Sequence, residues 1–319
     1  MPKIIFHNQP KLSEHEVDRE FNERRVALVP LIEDFVSSSN QFKDGEVEVT
    51  FSDKGVSSLV CFLKTASRKL VLKVPLSLTG IAGEALFLKA WEKVGVKVPH
   101  VFSEGMLGNH NYLLIEYIDA PMLAGLNSHE EMIEKGIYLE MGQTLRLMHE
   151  PKGQGWGKVV SGRGEYDNFT DWLGAGDTLK RIEYVKDNQL LGSEHGSLEK
   201  AFALLMDYVG PGIESSYCHL DFGCNNIFAT QPITVFDPNP QFSHGVIDVG
   251  RTIVNHLALG IFPQPFVDGY FNGEVYDKQV LQASILFSAL IKLPYQHKRH
   301  KTEFIQNIQK YLRENSSLL

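Results

Sequence analysis

Cysteine is scarce in this 319-residue chain: Cys61, Cys218 and Cys224 are its only three, and no two of them form a C-x-x-C pair. An odd, sparse set excludes a disulfide framework and a thiol-built zinc site and reads as reduced thiols. Long apolar runs are missing as well, since none approaches the ~18 residues that span a bilayer. The opening segment MPKIIFHNQPKLSEHE lacks the apolar stretch of a secretory leader, so a cytoplasmic protein without a membrane partner is expected. Basic residues are outnumbered, 31 against 39, for a formal net charge of −8. Proteins that grip a phosphate backbone carry a basic footprint, so no nucleic-acid partner is expected. Internal repeats and low-complexity segments are absent, and nothing specifies an oligomeric state. What remains is a globular composition, 43% hydrophobic and 22% charged, long enough for one large domain or two lobes around a ligand cleft.

The order of patterns is informative. Residues 13–37 have helical spacing, with a candidate capping box at Ser13 and Glu16 and a possible break at Pro30. EVEVTFSDKGVSSLVCFLK (46–64) alternates and turns at Asp53-Lys54-Gly55, which predicts a β-hairpin. A third strand is KLVLKVP (69–75), a helix spans 82–96, and two more strands end near residue 118. Beyond Asp119-Ala120-Pro121 the character changes. Residues 130–149 predict one long helix, 151–168 a Gly-rich loop, and 169–187 and 197–209 further helices. NIFA and ITVFDP predict a short hairpin, and from Asp248 onward the pattern is mostly helical. The expected fold is α+β and two-lobed: a β-rich N-terminal lobe over 1–118, its first 40 residues a helical extension, and a larger helical lobe over 119–319.

Four motifs along this order carry chemistry. Lys73 lies mid-strand among apolar residues, and Glu84 follows in the next helix eleven positions later. The segment HLDFGCNNIF (219–228) supplies Asp221 and, five positions on, Asn226; Asp237 ends the strand ITVFD. A strand lysine, a helix glutamate, a loop Asp and Asn, and a strand-end Asp appear in the order used for phosphoryl transfer. A lysine on a rigid strand can grip the phosphates of ATP, and a partner carboxylate fixes it. Mg²⁺ demands oxygen ligands, which Asn226 and Asp237 offer. The attacking hydroxyl needs an acceptor for its proton, the role suited to Asp221. For each residue there is a plainer reading: an edge-strand gatekeeper for Lys73, a solvated helix residue for Glu84, an Asx-rich turn for 221–226. His219 reads as a hydrogen-bonding residue rather than a base.

HLDFGCNNIF resembles the H-G-D-x-x-x-x-N signature of the aminoglycoside phosphotransferase-like family, small-molecule kinases that share the protein-kinase fold. The resemblance runs over residues 40–260. It implies that Asp221 is the catalytic base, that Asn226 and Asp237 bind Mg²⁺, and that Lys73, positioned by Glu84, holds ATP. Asp248 in VIDVGRTI resembles an aspartate that braces the catalytic loop, although GVIDVG can also be read as the metal-binding segment. Asp237 is preferred as ligand because it closes a hairpin directly after the Asn. LRLMHE (145–150) resembles the end of the family's long helix.

The chain also departs from that pattern. Leu220 stands where the family commonly has Gly, a position expected to be tolerant. The phosphate loop offers Gly55, Ser57 and Ser58 instead of G-x-G-x-x-G. The run LLIEYI (113–118), with Glu116 and Ile118 at its end, offers backbone groups to an adenine ring. The implied activity is ATP- and Mg²⁺-dependent phosphorylation of a hydroxyl on a small molecule such as an aminoglycoside, amino sugar or amino alcohol. Its rivals are a catalytically weak nucleotide-binding scaffold and a protein kinase. Only PNPQFSHGVI separates Asp237 from Asp248, and that shortness disfavours a protein substrate. Glu165, Asp167 and Asp171 would suit a cationic acceptor if they lined the site, but a surface loop is the preferred reading.

Overall fold

The computed structural model describes residues 2–14, 19–42, 45–53, 58–76 and 83–319, with only the backbone of Glu194. Contacts divide the chain into two units. The first comprises Met1–Lys89 and Pro99–Asp119, the second Ala90–Val98 and Ala120–Leu319.

The first unit is built on strands β1 (Lys3–Phe6), β2 (Glu46–Phe51), β3 (Ser58–Lys64), β4 (Lys69–Pro75), β5 (Val101–Leu107) and β6 (His110–Glu116). They form one sheet in the order β1-β2-β3-β4-β6-β5. Alternation puts Val47, Val49 and Phe51 of β2, Leu59, Cys61 and Leu63 of β3, and Leu70, Leu72 and Val74 of β4 into one core. Helix α1 (Arg19–Ser38) adds Leu28, Ile32 and Val36 to that core. The N-terminal residues are therefore more than a helical extension: β1 pairs in parallel with β2, Ile4 opposite Val47, and α1 is the crossover between them. Four residues gave too short a pattern to stand out from a coil. Pro30 does not end α1, which runs through it. The buried Ile32 and Val36 beyond the proline offset its missing hydrogen bond. Glu16, half of the expected capping box, lies outside the described residues, and Ser13 is instead held by Asn22 through two 2.8 Å hydrogen bonds. Helix α2 (Glu84–Lys93) begins in this unit.

The second unit is mainly helical. The expected helix over 130–149 is two, α3 (His129–Glu134) and α4 (Ile137–Met148). They are divided at Gly136, whose φ of +68° suits glycine and interrupts a continuous helix. Where a Gly-rich loop was expected, β7 (Trp156–Val160) and β8 (Arg163–Tyr166) form a hairpin. Its glycines allow close packing: a Cβ on Gly164 would lie 2.2 Å from the Trp156 nitrogen. Helices α5 (Phe169–Leu173), α6 (Gly176–Asp187) and α7 (Leu198–Tyr208) follow. Strands β9 (Ser216–Cys218) and β12 (Gln241–Ser243) complete a sheet ordered β8-β7-β12-β9, and β10 (Ile227–Phe228) pairs with β11 (Thr234–Val235). Helices α8 (Gly245–Leu257), α9 (Gln264–Phe271), α10 (Lys278–Lys298) and α11 (Thr302–Glu314) close the chain. α8 and α10 are buried over most of their length and pack together. Gly250 permits it, because a Cβ there would meet Ser284 Oγ at 2.5 Å and its carbonyl carbon at 2.6 Å. None of the described helices is long and apolar enough to cross a membrane.

Candidate active site

In the first unit, β4 holds Lys73 between Val60 of β3 and Leu113 of β6. Its Nζ lies 2.7 Å from Glu84 Oε2, with 9% and 2% of the two side chains exposed. Glu84 opens α2, where the positive helix end favours a carboxylate. Two charges this deeply enclosed are stable only as a pair, which fixes the ammonium in place. Ser58 is buried at the start of β3, opposite Pro75. Gly55 and Ser57 lie outside the described residues. Glu116 is the last residue of β6 in register with β4, facing Leu70. Its backbone N–H donates to the His100 carbonyl at 2.9 Å, and its carboxylate accepts the His100 N–H at 3.2 Å. Ile118 follows beyond the ladder.

In the second unit, β9 leads into the loop 219–226, which Asp248 anchors. Asp248 is fully buried in the first turn of α8 and accepts the N–H of His219 on Oδ2 at 2.5 Å and that of Leu220 on Oδ1 at 2.8 Å. His149 Nε2 donates to Oδ2 at 3.1 Å, while Nδ1 accepts the Tyr270 hydroxyl at 2.9 Å. Cys218 lies close to His149 and Asp248, but the carboxylate oxygens are already taken by these donors. Asp248 is thus a brace of the loop. Leu220 has a φ of +52°, the left-handed region that favours glycine. The position is strained rather than tolerant, and Asp248 together with a 3.0 Å bond from Arg251 Nε to the Leu220 carbonyl holds it.

His219 is buried and spent on structure. Its ring stacks on Trp91, centroids 5.8 Å apart. Nε2 donates to the Phe236 carbonyl at 3.0 Å, and Nδ1 accepts the Asp221 N–H at 3.2 Å. Burial pushes its pKa down against the pull of Asp248 and Asp221, so it is neutral.

Asp221 keeps 49% of its side chain open. Asn226 Nδ2 donates to its carbonyl at 2.8 Å and to Oδ2 at 3.1 Å. Lys292 of α10 reaches Oδ1 at 3.1 Å. Burial of the enclosed side raises the Asp221 pKa, but Lys292 and Arg251 outweigh it and hold the carboxyl below its ordinary value. It is therefore ionised at neutral pH. With its nitrogen committed to Asp221, Asn226 presents its amide oxygen as the remaining ligand atom. Asp237 is exposed, has a φ of +53°, and follows β11. The chain around it is tied to the loop: Phe236 N–H bonds the Asn226 carbonyl at 3.0 Å, and Asn239 N–H bonds the His219 carbonyl at 2.9 Å. An amide oxygen and a carboxylate held on adjoining turns are the oxygen donors a small divalent cation takes.

The profile of the phosphotransferase enzyme family matches residues 48–252. The chain belongs to this family. Among solved structures, a thermostable mutant of aminoglycoside phosphotransferase APH(4)-Ia in a ternary complex with ADP and hygromycin B matches with a TM-score of 0.63 at 16% identity, covering 89% of this chain and 96% of that one. A putative fructosamine-3-kinase from Thermobifida fusca YX-ER1 matches at 0.57 and 17%, covering 84% and 94%. Spectinomycin phosphotransferase APH(9)-Ia, solved with ADP and spectinomycin, matches at 0.51 and 13%, covering 83% and 89%. No curated protein sequence matches the chain. These likenesses fix the kinase-like fold.

Within this phosphotransferase, Lys73 and Glu84 meet in one unit, and Asp221, Asn226 and the segment around Asp237 meet in the other. Sequence reasoning missed Lys292, Arg251 and Asn255, which surround Asp221. Lys292 also bonds Asn255 Oδ1, and Arg251 sits three residues after the bracing Asp248. The one available signal was that α8 and α10 are apolar helices interrupted by isolated cations. Of the acidic residues in 165–171, Asp167 pairs with Arg163 at 2.6 Å and Asp171 accepts Asn168 Nδ2 at 2.7 Å; Glu165 is exposed.

Proposed function

We propose that the protein transfers the γ-phosphoryl group of ATP, with Mg²⁺, to a hydroxyl of a small molecule. The observation that carries this reading is the half-open, ionised carboxylate of Asp221, held by Asn226 and sustained by Lys292. Asp221 orients the acceptor hydroxyl and accepts its proton on the carboxylate as the phosphoryl group moves. Lys73, held in place by Glu84, binds the phosphates. Ser58, with Gly55 and Ser57, serves the phosphate loop, and the backbone at Glu116 and Ile118 serves the adenine. Asn226 and Asp237 would hold Mg²⁺, which supplies neutralisation of phosphate charge. Asp248 is the less suited ligand because its oxygens already accept backbone N–H groups.

Two further facts support a small acceptor. Residues 238–247 fold at once into β12 and the start of α8, leaving no long segment on which a protein substrate could dock. The APH(4)-Ia and APH(9)-Ia structures hold ADP together with small molecules.

The test is ADP release from MgATP by the purified chain across a panel of hydroxylated metabolites and antibiotics, run beside Asp221→Asn. An acceptor-dependent signal that falls ~10²–10⁴-fold in the variant, with nucleotide affinity retained, is the expected result. Full turnover by the variant would overturn the reading.

A further inference from the structure

We propose that the acceptor carries an anionic group, a carboxylate or a phosphate ester, and that Lys292, Arg251 and Arg181 hold it beside Asp221. This rests on the reading of Asp221 as the base.

Two cations, Lys292 and Arg251, flank this one open carboxylate in the second unit, and a third, Arg181, stands next to them. Lys292 comes from α10, is 14% exposed and bonds Asp221 and Asn255. Arg251 comes from α8 and uses Nε on the Leu220 carbonyl. Arg181 comes from α6, and its Nη1 donates at 2.6 Å to the carbonyl of Ile291, the residue before Lys292. Its charge is felt at Arg251. Among the described residues, neither arginine forms an ion pair. The carboxylates acting on Lys292 and Arg251 are Asp221 and Asp248, and Asp248 is committed to the backbone of His219 and Leu220.

With Arg181 counted, three cations stand against the two carboxylates Asp221 and Asp248 beside the place where the acceptor must put its hydroxyl. Withdrawing such cations from water is costly unless an anion meets them. Guanidinium groups with free fork nitrogens suit a carboxylate or phosphate. A polycationic acceptor would be repelled here. Of the acidic side chains that could have welcomed one, Asp167 pairs with Arg163 and Asp171 accepts the Asn168 amide, which leaves Glu165 exposed.

An oxyanion at this place has two sources, the acceptor itself or the phosphoryl group in transfer. The experiment separates them. The full chain, loaded with Mg²⁺ and AMP-PNP, is titrated calorimetrically at matched ionic strength with glycerate against glycerol and gluconate against sorbitol, and with hygromycin B as the cation. Each carboxylate is expected to bind at least tenfold more tightly than its neutral partner. Lys292→Met and Arg181→Met, each checked for folding by its melting curve, should remove that preference. Equal binding within each pair, including none by either member, overturns the proposal, as does tighter binding of hygromycin B. So does a loss of MgATP consumption in Lys292→Met and Arg181→Met with carboxylate preference intact, which would assign the cations to the phosphoryl group. The phosphotransferase reading fails separately: MgATP consumption unchanged by Asp221→Asn would sink it while the calorimetric preference still reported on the anion site.

Discussion

Leu220 donates its backbone N–H to Asp248 Oδ1 at 2.8 Å while standing at a φ of +52°. The left-handed conformation costs a branched side chain about 1–2 kcal/mol. The Leu220 side chain is only 3% exposed, and truncating a buried leucine costs about 2–5 kcal/mol. Glycine would relieve the strain but lose that packing and add freedom to the unfolded chain. Leu220→Gly should therefore destabilise the protein by about 2 kcal/mol in a denaturant titration. A stabilised variant would mean that strain, and not packing, decides this position.

Asp237 and Asp248 should separate cleanly. Asp237→Ala, like Asn226→Ala, removes an oxygen from the proposed metal site and should raise the Mg²⁺ concentration needed for half-maximal turnover. Asp248→Asn instead turns an amide N–H against a backbone N–H, so it should lower the melting temperature and activity at every Mg²⁺ concentration. Magnesium titrations of the three variants decide this; a shifted requirement in Asp248→Asn alone would exchange the two aspartates.

Glu84→Gln leaves the Lys73 ammonium enclosed without its carboxylate. Breaking a buried pair costs about 3–5 kcal/mol, so the melting temperature should drop by several degrees. The KM for MgATP should rise more than kcat falls, because the lysine is misplaced before chemistry begins. An unchanged nucleotide KM would remove Lys73 from the phosphate site.

Stability should fall in mild acid. His256 is buried against Tyr138, its Nε2 has no hydrogen-bond partner among the described residues, and burial pushes its pKa down to about 4. The folded state binds the proton less readily than the unfolded chain, whose histidine titrates near the ordinary 6.5. The stabilisation is complete above that ordinary value and is lost as pH falls from about 6.5 to about 4, by about 3 kcal/mol. Denaturation at pH 7, 6, 5 and 4 should show this slope, and His256→Gln should flatten it. His244, lowered to about 4 by burial, contributes a slope that remains in that variant.

Local patterns made the loop 219–226 and the Lys73–Glu84 pair legible. Lys73 sits in an alternating strand, and Asp221 and Asn226 lie within one turn of chain. Arg181, Arg251 and Lys292 were not legible, because three separate helices deliver them: Arg251 and Lys292 are isolated cations in apolar helices, and Arg181 follows Lys180 in a polar helix, where it looks like a surface residue. The hairpin at 156–166 hid behind its glycines, which signal loops but serve here to let β7 and β8 approach. Gly136 divided a helix whose periodicity runs through it unbroken, since a single left-handed residue leaves no mark on hydrophobic spacing.

The parallel pairing of β1 with β2 sets where the polypeptide can begin. A shortened chain starting at Asn40 would keep every residue assigned to chemistry. It would also strip Leu28, Ile32 and Val36 from the core and bare the backbone edge of β2, which β1 now covers. An uncovered strand edge invites pairing with another chain. Attempts to trim the protein to its recognisable motifs should thus yield aggregates, and recombinant production and domain exchange alike need the opening forty residues.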